Sequence, residues 1–228
     1  MLISNKLYST MKLFYLKSEL PKTELAPNYK YVILESQLND TNLILLREEI
    51  LNREKQITDG RDISKSRYRF FDKKFWHRPI IQSLENEIKE HVLKYLGYQL
   101  LNVPNELYIQ AWVNVMRKEQ AIDIHQHHAD ENSFISGNVC ITSQDTKTHY
   151  INPFNYFTLN KQAHHSDNIP GKITIFPSTL PHYTDQYLED KERITIAFDI
   201  FVKDHATITQ KWGKEEFFGE NIKKLDIS

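Results

Sequence analysis

The sequence predicts a mainly β protein with supporting helices (α+β), built on a double-stranded β-helix core of the cupin-like jelly-roll type. Three observations carry that prediction. First, from residue 106 onward the segments "ELYIQAWVNVM", "FISGNVCIT", "HYINPF", "KITIFP" and "RITIAFDIFV" are rich in β-branched and aromatic residues. They are divided by turn signals such as Asn152-Pro153 and Pro170-Gly171. Second, helical periodicity is confined to the first hundred residues, whereas a parallel α/β sheet needs helices between its strands. Third, two short helices followed by roughly eight strands match an antiparallel jelly roll.

Taken in order, "YVILE" at 31–35 reads as a strand. Asn39 or Asp40 can cap a helix that carries Leu43, Leu46 and Ile50 on one face. A second helix has Pro79 in its first turn, Ile81, Leu84, Ile88 and Val92 as its apolar stripe, and Gly97 at the C-terminal cap position. Both helices are expected to cover one face of a sheet. With no repeat, low-complexity stretch or linker, residues 1–228 read as a single domain. Its parts are helical support with an N-terminal strand (1–100), the β-helix core (106–203) and a C-terminal extension (204–228). In that extension Trp212, Phe217 and Phe218 can pack on the domain or on a second copy, which would make a homodimer.

Composition narrows the function. Lys plus Arg number 29 against 30 Asp plus Glu, so a net charge of −1 provides no global field for nucleic acid or acidic lipid. One cysteine, Cys140, excludes a disulfide framework and a Cys-rich zinc site, and fits a reducing compartment. Lys6, Lys12 and Lys17 interrupt the N-terminal apolar runs before they reach the length of a signal-peptide core. No run approaches the ~20 apolar residues of a membrane span. The expectation is therefore a cytoplasmic protein, not membrane-integral.

Seven of the ten histidines lie between His125 and His182, and "HQHHAD" at 125–130 is the densest group. In an extended chain residues two apart share a face, so His125 pairs with His127, and His128 pairs with Asp130 on the opposite face. Two imidazoles suit zinc or copper. One imidazole and one carboxylate, joined by a later histidine, make the facial triad of a non-heme Fe(II) oxygenase. His182 is the later histidine that follows the bend at Pro177–Pro181, and Arg193 comes eleven residues after it. Alternation in "RITIAFDIFV" puts Ile194, Ile196, Phe198 and Ile200 on one face and Arg193, Thr195, Ala197 and Asp199 on the other. The second face is polar enough to line a pocket. Arg193 can grip a carboxylate with its guanidinium fork and Thr195 can add a hydrogen bond, which points to an acidic cosubstrate.

With these residues in view, the sequence resembles the 2-oxoglutarate and Fe(II)-dependent oxygenases, and within them the subgroup common in bacteriophages and marine bacteria. The matching elements are Trp112-Val113-Asn114, His128-Ala129-Asp130, Asn132-Ser133, Ser136-Gly137, Phe176-Pro177-Ser178, His182 and Arg193-Ile194-Thr195. They span about residues 108–201, and the spacing from His128 to Ser136-Gly137 is what selects His128 over His125. Family members carry aromatic residues after Ser-Gly, where this chain has Asn138, Val139 and Cys140. The resemblance implies an enzyme whose Fe(II) is held by His128, Asp130 and His182. It implies 2-oxoglutarate held at its distal carboxylate by Arg193 and Thr195, with Asn114 facing the same pocket. It further implies that O2 and 2-oxoglutarate are consumed while succinate and CO2 leave, with hydroxylation of an unactivated C–H bond. The substrate would be a protein side chain or small metabolite, and the cytoplasm would be the host's if the gene is a phage's. A carboxylate at Asp130 argues against a halogenase.

Two other classes remain open on the residues: a metal cupin enzyme that does not use 2-oxoglutarate, and a non-catalytic jelly-roll binding module. His125 and His127 are read as exposed or as donors behind the ligands, His164 and His165 as part of a polar loop, and His149 and Cys140 as structural. The stretch "GRDISKSRYRFFDKKFWHRP" at 60–79 interleaves cations with aromatics, as a single-stranded nucleic acid groove does. A solvated loop anchored by its aromatics is the favoured reading there, and a lid over the substrate is a third.

Overall fold

The computed structural model describes residues 11–20, 23–26, 28–54, 67–68, 78–127, 134–142, 145–156, 161–202 and 222–227. In chain order the elements begin with β1 (Lys12–Lys17), β2 (Lys30–Gln37), α1 (Leu43–Glu54), β3 (Arg67–Tyr68), α2 (Pro79–Tyr98) and β4 (Leu107–Met116). They continue with β5 (Ile135–Cys140), β6 (Lys147–Ile151), β7 (Ala163–Asp167), β8 (Lys172–Pro177), β9 (His182–Thr184), β10 (Arg193–Phe201) and β11 (Ile222–Leu225). A major antiparallel sheet runs β1-β2-β8-β5-β10-β4-β11, with β3 also paired to β4, and a minor sheet runs β7-β6-β9. This is the mainly β, jelly-roll arrangement that the strand pattern predicts.

Strand β10 is central, and every one of its residues is buried. The predicted alternation holds along it. Ile194, Ile196, Phe198 and Ile200 join the main apolar core together with Leu46 and Ile50 of α1 and Ile81, Leu84, Ile88 and Val92 of α2. Both helices therefore cover the outer face of the major sheet. The other face of β10 carries Arg193, Thr195 and Ala197 toward the minor sheet, where they line a cleft.

Both helix caps differ from the sequence reading. Helix α1 is capped by Asn42, whose Oδ1 accepts the Leu45 N–H at 3.1 Å. The Asn39 and Asp40 N–H groups instead donate to the carboxylate of Glu87 at 2.5 and 3.1 Å, which ties the entrance of α1 to α2. At the end of α2, Gly97 is still helical, and the left-handed position is taken by Leu100 at φ 55°. The Leu101 N–H reaches the Leu96 carbonyl and the Leu100 N–H reaches that of Gly97, the bond pair of a Schellman motif. An apolar residue in that conformation leaves no glycine signal at the position.

Three further strands carry weak signals. Residues 163–167, read as loop, form β7, because "AHHSD" is polar on both faces and has no aliphatic alternation to announce it. Its inward His164 pairs with Glu35 at 2.8 Å and stacks on Phe14 at 3.9 Å in place of an aliphatic contact. Strand β1 forms an edge beside β2, and β11 from the C-terminal extension pairs with β4 of the same chain. The basic aromatic stretch lies outside the described residues apart from the backbone of Arg67–Tyr68 and residues 78–79. Among the described residues no helix is long and apolar enough to cross a membrane.

Candidate metal centre

The minor sheet supplies His182 at the start of β9. Segment 122–127 is not a continuous strand but is strapped to β9. The His125 N–H donates to the His182 carbonyl at 3.0 Å, the His182 N–H to the His125 carbonyl at 2.9 Å, and the Ile122 N–H to Thr184 Oγ1 at 2.9 Å. The His127 N–H is anchored on the Ser178 carbonyl at 2.9 Å. This strap turns the shared side of His125 and His127 toward His182. One ring nitrogen from each of the three lies within 4.8 Å of the others.

Hydrogen bonding sets which nitrogen is available. His125 and His182 each place Nδ1 against a carbonyl, that of Asp123 at 2.8 Å and that of Leu180 at 2.9 Å. A carbonyl can only accept, so each Nδ1 carries the proton and each Nε2 carries the lone pair. His127 donates Nδ1–H to Asp199 Oδ1 at 2.6 Å, with the same consequence. Metal-ligating histidines are oriented in this way, with the second nitrogen tied to a carbonyl or carboxylate. Burial, followed by the neighbouring imidazoles of His127 and His125, pushes the His182 pKa down to about 3 and keeps that ring neutral. The set fits a divalent transition metal by donor type, tautomer and spacing.

The sequence reading leaves His125 and His127 outside the ligand set; the structure brings both to His182. The antiparallel bridge between His125 and His182 turns the His125 and His127 side toward β9. His128 and Asp130 lie outside the described residues.

From the three histidines a cleft of about 440 Å³, partly open to solvent, runs between the sheets to Arg193. Arg193 is 1% exposed and forms no ion pair among the described residues. Its Nη1 faces Met116 Sδ at 3.0 Å, its Nη2 faces Thr148 Oγ1 at 3.5 Å, and its Nε has no hydrogen-bond partner among the described residues. Burial lowers its pKa, yet a guanidinium stays charged, so a cation sits in the interior with unfilled donors. Asn114 and Thr195 share the wall, with Asn114 Nδ2 reaching Thr195 Oγ1 at 3.5 Å and Asn114 Oδ1 buried with no partner among the described residues. The structure thus brings Asn114, His182, Arg193 and Thr195 to one cleft.

The quoted sequence elements acquire physical roles. Trp112 lies with its ring centroid 5.3 Å from that of His127, and Phe176 meets His182 edge-on at 4.8 Å. Ser136 donates to Asp199 Oδ1 at 2.5 Å, and Ser178 Oγ lies 3.0 Å from Ser136 Oγ. A Cβ on Gly137 would come within 2.3 Å of the Phe198 ring and 2.7 Å of the Thr174 carbonyl, so only glycine fits beside β10 there. Asn138 donates to Tyr150 Oη at 3.0 Å, so β6 brings an aromatic ring to the residue after Ser-Gly. The Asp199 link to the histidines was missed, although its signal, a carboxylate on the polar face of β10, is in the sequence. Cys140 is buried, and burial pushes its thiol up to about 11, in line with a structural role.

Residues 110–199 match the model of the family described as "Putative 2OG-Fe(II) oxygenase". No curated protein matches the chain. Among solved structures the chain is similar to a prolyl hydroxylase from Trichoplax adhaerens in complex with a hypoxia inducible factor peptide fragment. That match has a TM-score of 0.57 and 11% identity, and covers 78% of this chain and 86% of that one. A prolyl-4-hydroxylase from Pseudomonas putida matches at a TM-score of 0.53 and 11% identity, over 75% of this chain and 88% of that one. HygX from Streptomyces hygroscopicus, with nickel and 2-oxoglutarate bound, matches at 0.50 and 12% identity, over 74% and 81%. At these identities the neighbours establish the fold, and the family match falls on the strands that build the cleft. Over this core, residues 110–199, the chain is similar to the 2-oxoglutarate and Fe(II)-dependent oxygenases.

Proposed function

We propose that the protein hydroxylates an unactivated C–H bond of a protein side chain or small metabolite, with Fe(II) at the histidine end of the cleft and 2-oxoglutarate reaching to Arg193. The observation that carries this reading is the convergence of three histidines and a buried arginine on one cleft. Three histidines bring one ring nitrogen each within 4.8 Å of the others at one end, and at the other end a buried guanidinium forms no ion pair among the described residues. A dicarboxylate cosubstrate suits this end of the cleft when its distal carboxylate takes the Arg193 fork and the Thr195 hydroxyl. When bound, Fe(II) supplies the oxidative chemistry with O2 and 2-oxoglutarate. Trp112 and Phe176 flank the histidines with apolar surface and help exclude water there.

His125, His127 and His182 form the metal-holding set in this proposal. A second reading, His128 and Asp130 with His182, is favoured by the spacing of that pair from Ser136-Gly137. Single Ala substitutions at His125, His127, His128 and Asp130 discriminate them by which pair loses Fe(II) binding.

Activity is tested by aerobic incubation with Fe(II), 2-oxoglutarate and a panel of peptides and metabolites. Succinate release that depends on His182 is expected. A metal-loaded protein that neither binds nor consumes 2-oxoglutarate would make the metal cupin reading the better one. The peptide arm is motivated by the Trichoplax neighbour, whose complex holds a peptide.

A further inference from the structure

We infer that Asp199 is a positioning residue that sets the metal affinity of the centre through His127. This role rests on His127 belonging to the proposed metal-holding set.

Asp199 sits at the opposite end of the inward face of β10 from Arg193, with Thr195 and the small Ala197 between them. It is 3% exposed. Its Oδ1 accepts from His127 Nδ1 at 2.6 Å and from Ser136 Oγ at 2.5 Å, and Ser136 Oγ lies 3.1 Å from the same His127 nitrogen. Ser178 completes the arrangement from two directions. Its hydroxyl approaches Ser136, and its carbonyl holds the His127 backbone N–H. His127 is therefore fixed at its main chain and at the far side of its ring, and Nε2 is left directed away from the carboxylate.

With a divalent metal on Nε2, the carboxylate behind the ring makes the imidazole a better donor. Three neutral imidazoles alone would leave the full metal charge uncompensated. Asp199 offers, one hydrogen bond behind a ligand, a charge that a facial triad delivers by direct coordination. One strand face thus carries the cation for the cosubstrate at one end and the anion for the metal at the other.

Asp199→Asn keeps the size and an acceptor but removes the charge. Ni(II), an air-stable probe, is titrated into wild type and variant by calorimetry, and melting is recorded with and without Ni(II). The expected result is Ni(II) affinity weakened by about 10-fold or more, with a smaller metal-induced rise in Tm and little change in the metal-free Tm. A purely structural role would lower the metal-free Tm and leave the affinity of the folded protein unchanged, which would overturn the inference. Asp199→Glu keeps the charge but displaces it by one methylene, and serves if the Asn variant does not fold. Intermediate affinity is expected, and wild-type affinity would overturn the positioning role. His127→Ala separates the premise: if it binds Ni(II) as wild type does while His182→Ala does not, the ligand assignment fails and the Asp199 inference falls with it.

Discussion

Two groups of histidines lie on the minor sheet and its strap, and they differ in how their nitrogens are used. In the first, each of His125, His127 and His182 commits Nδ1 to a carbonyl or carboxylate. In the second, His149 and His165 are register partners on β6 and β7, and they use Nδ1 on each other at 2.7 Å. Asp185 takes the remaining nitrogen of His149 at 2.6 Å, and Tyr183 stacks on that ring at 4.6 Å. One proton between the two Nδ1 atoms satisfies that pair, so it needs no metal. The first group opens on a cleft that ends at a buried cation, whereas His165 is exposed. Histidine density in a sequence is thus a weak guide to metal binding, and the partner of the second ring nitrogen is a stronger one.

The largest expected effect breaks the comparison directly. His182→Ala should abolish Ni(II) or anaerobic Fe(II) binding measured by calorimetry, while His149→Ala and His165→Ala should leave it intact. Loss of binding in the His149 variant would mean that the two groups are not distinct. The next effect concerns the far end of the cleft. Removing one partner of a buried charge pair costs about 2–5 kcal/mol, so Arg193→Ala should weaken 2-oxoglutarate binding to the metal-loaded protein by at least tenfold. Fe(II) affinity should change little, and Arg193→Lys should recover only part because the fork is lost. The smallest effect belongs to the second group. Asp185 is 41% exposed at its side chain, and such pairs are worth about 0–1 kcal/mol, so His149→Ala should shift the urea midpoint only slightly.

The strands that build the cleft were legible because β10, β8 and β4 alternate apolar with polar or small residues and end in recognisable turns. Arg193, Thr195 and Asn114 were legible for the same reason, since alternation on β10 and register with β4 put them on one face. The inward turn of His125 and His127 was not, because it depends on backbone bonds to β9, some fifty-seven residues away in sequence between His125 and His182. Strand β7 escaped notice because its inward contact is a histidine against a ring and a carboxylate, and no hydrophobic periodicity records that. The need for glycine at 137 lies in a Phe198 ring pressed on it from the neighbouring strand, which the Ser-Gly pair hints at without giving the reason.

The central claim is that metal and 2-oxoglutarate meet in the cleft between His182 and Arg193. Anaerobic titration of the protein with Fe(II) followed by 2-oxoglutarate tests it most directly, through the weak visible charge-transfer band of a keto acid chelated to Fe(II). The band should develop in wild type and in His149→Ala, be absent in His182→Ala, and need a higher 2-oxoglutarate concentration in Arg193→Ala. A wild-type protein that binds Fe(II) but shows no band and no 2-oxoglutarate binding would contradict it.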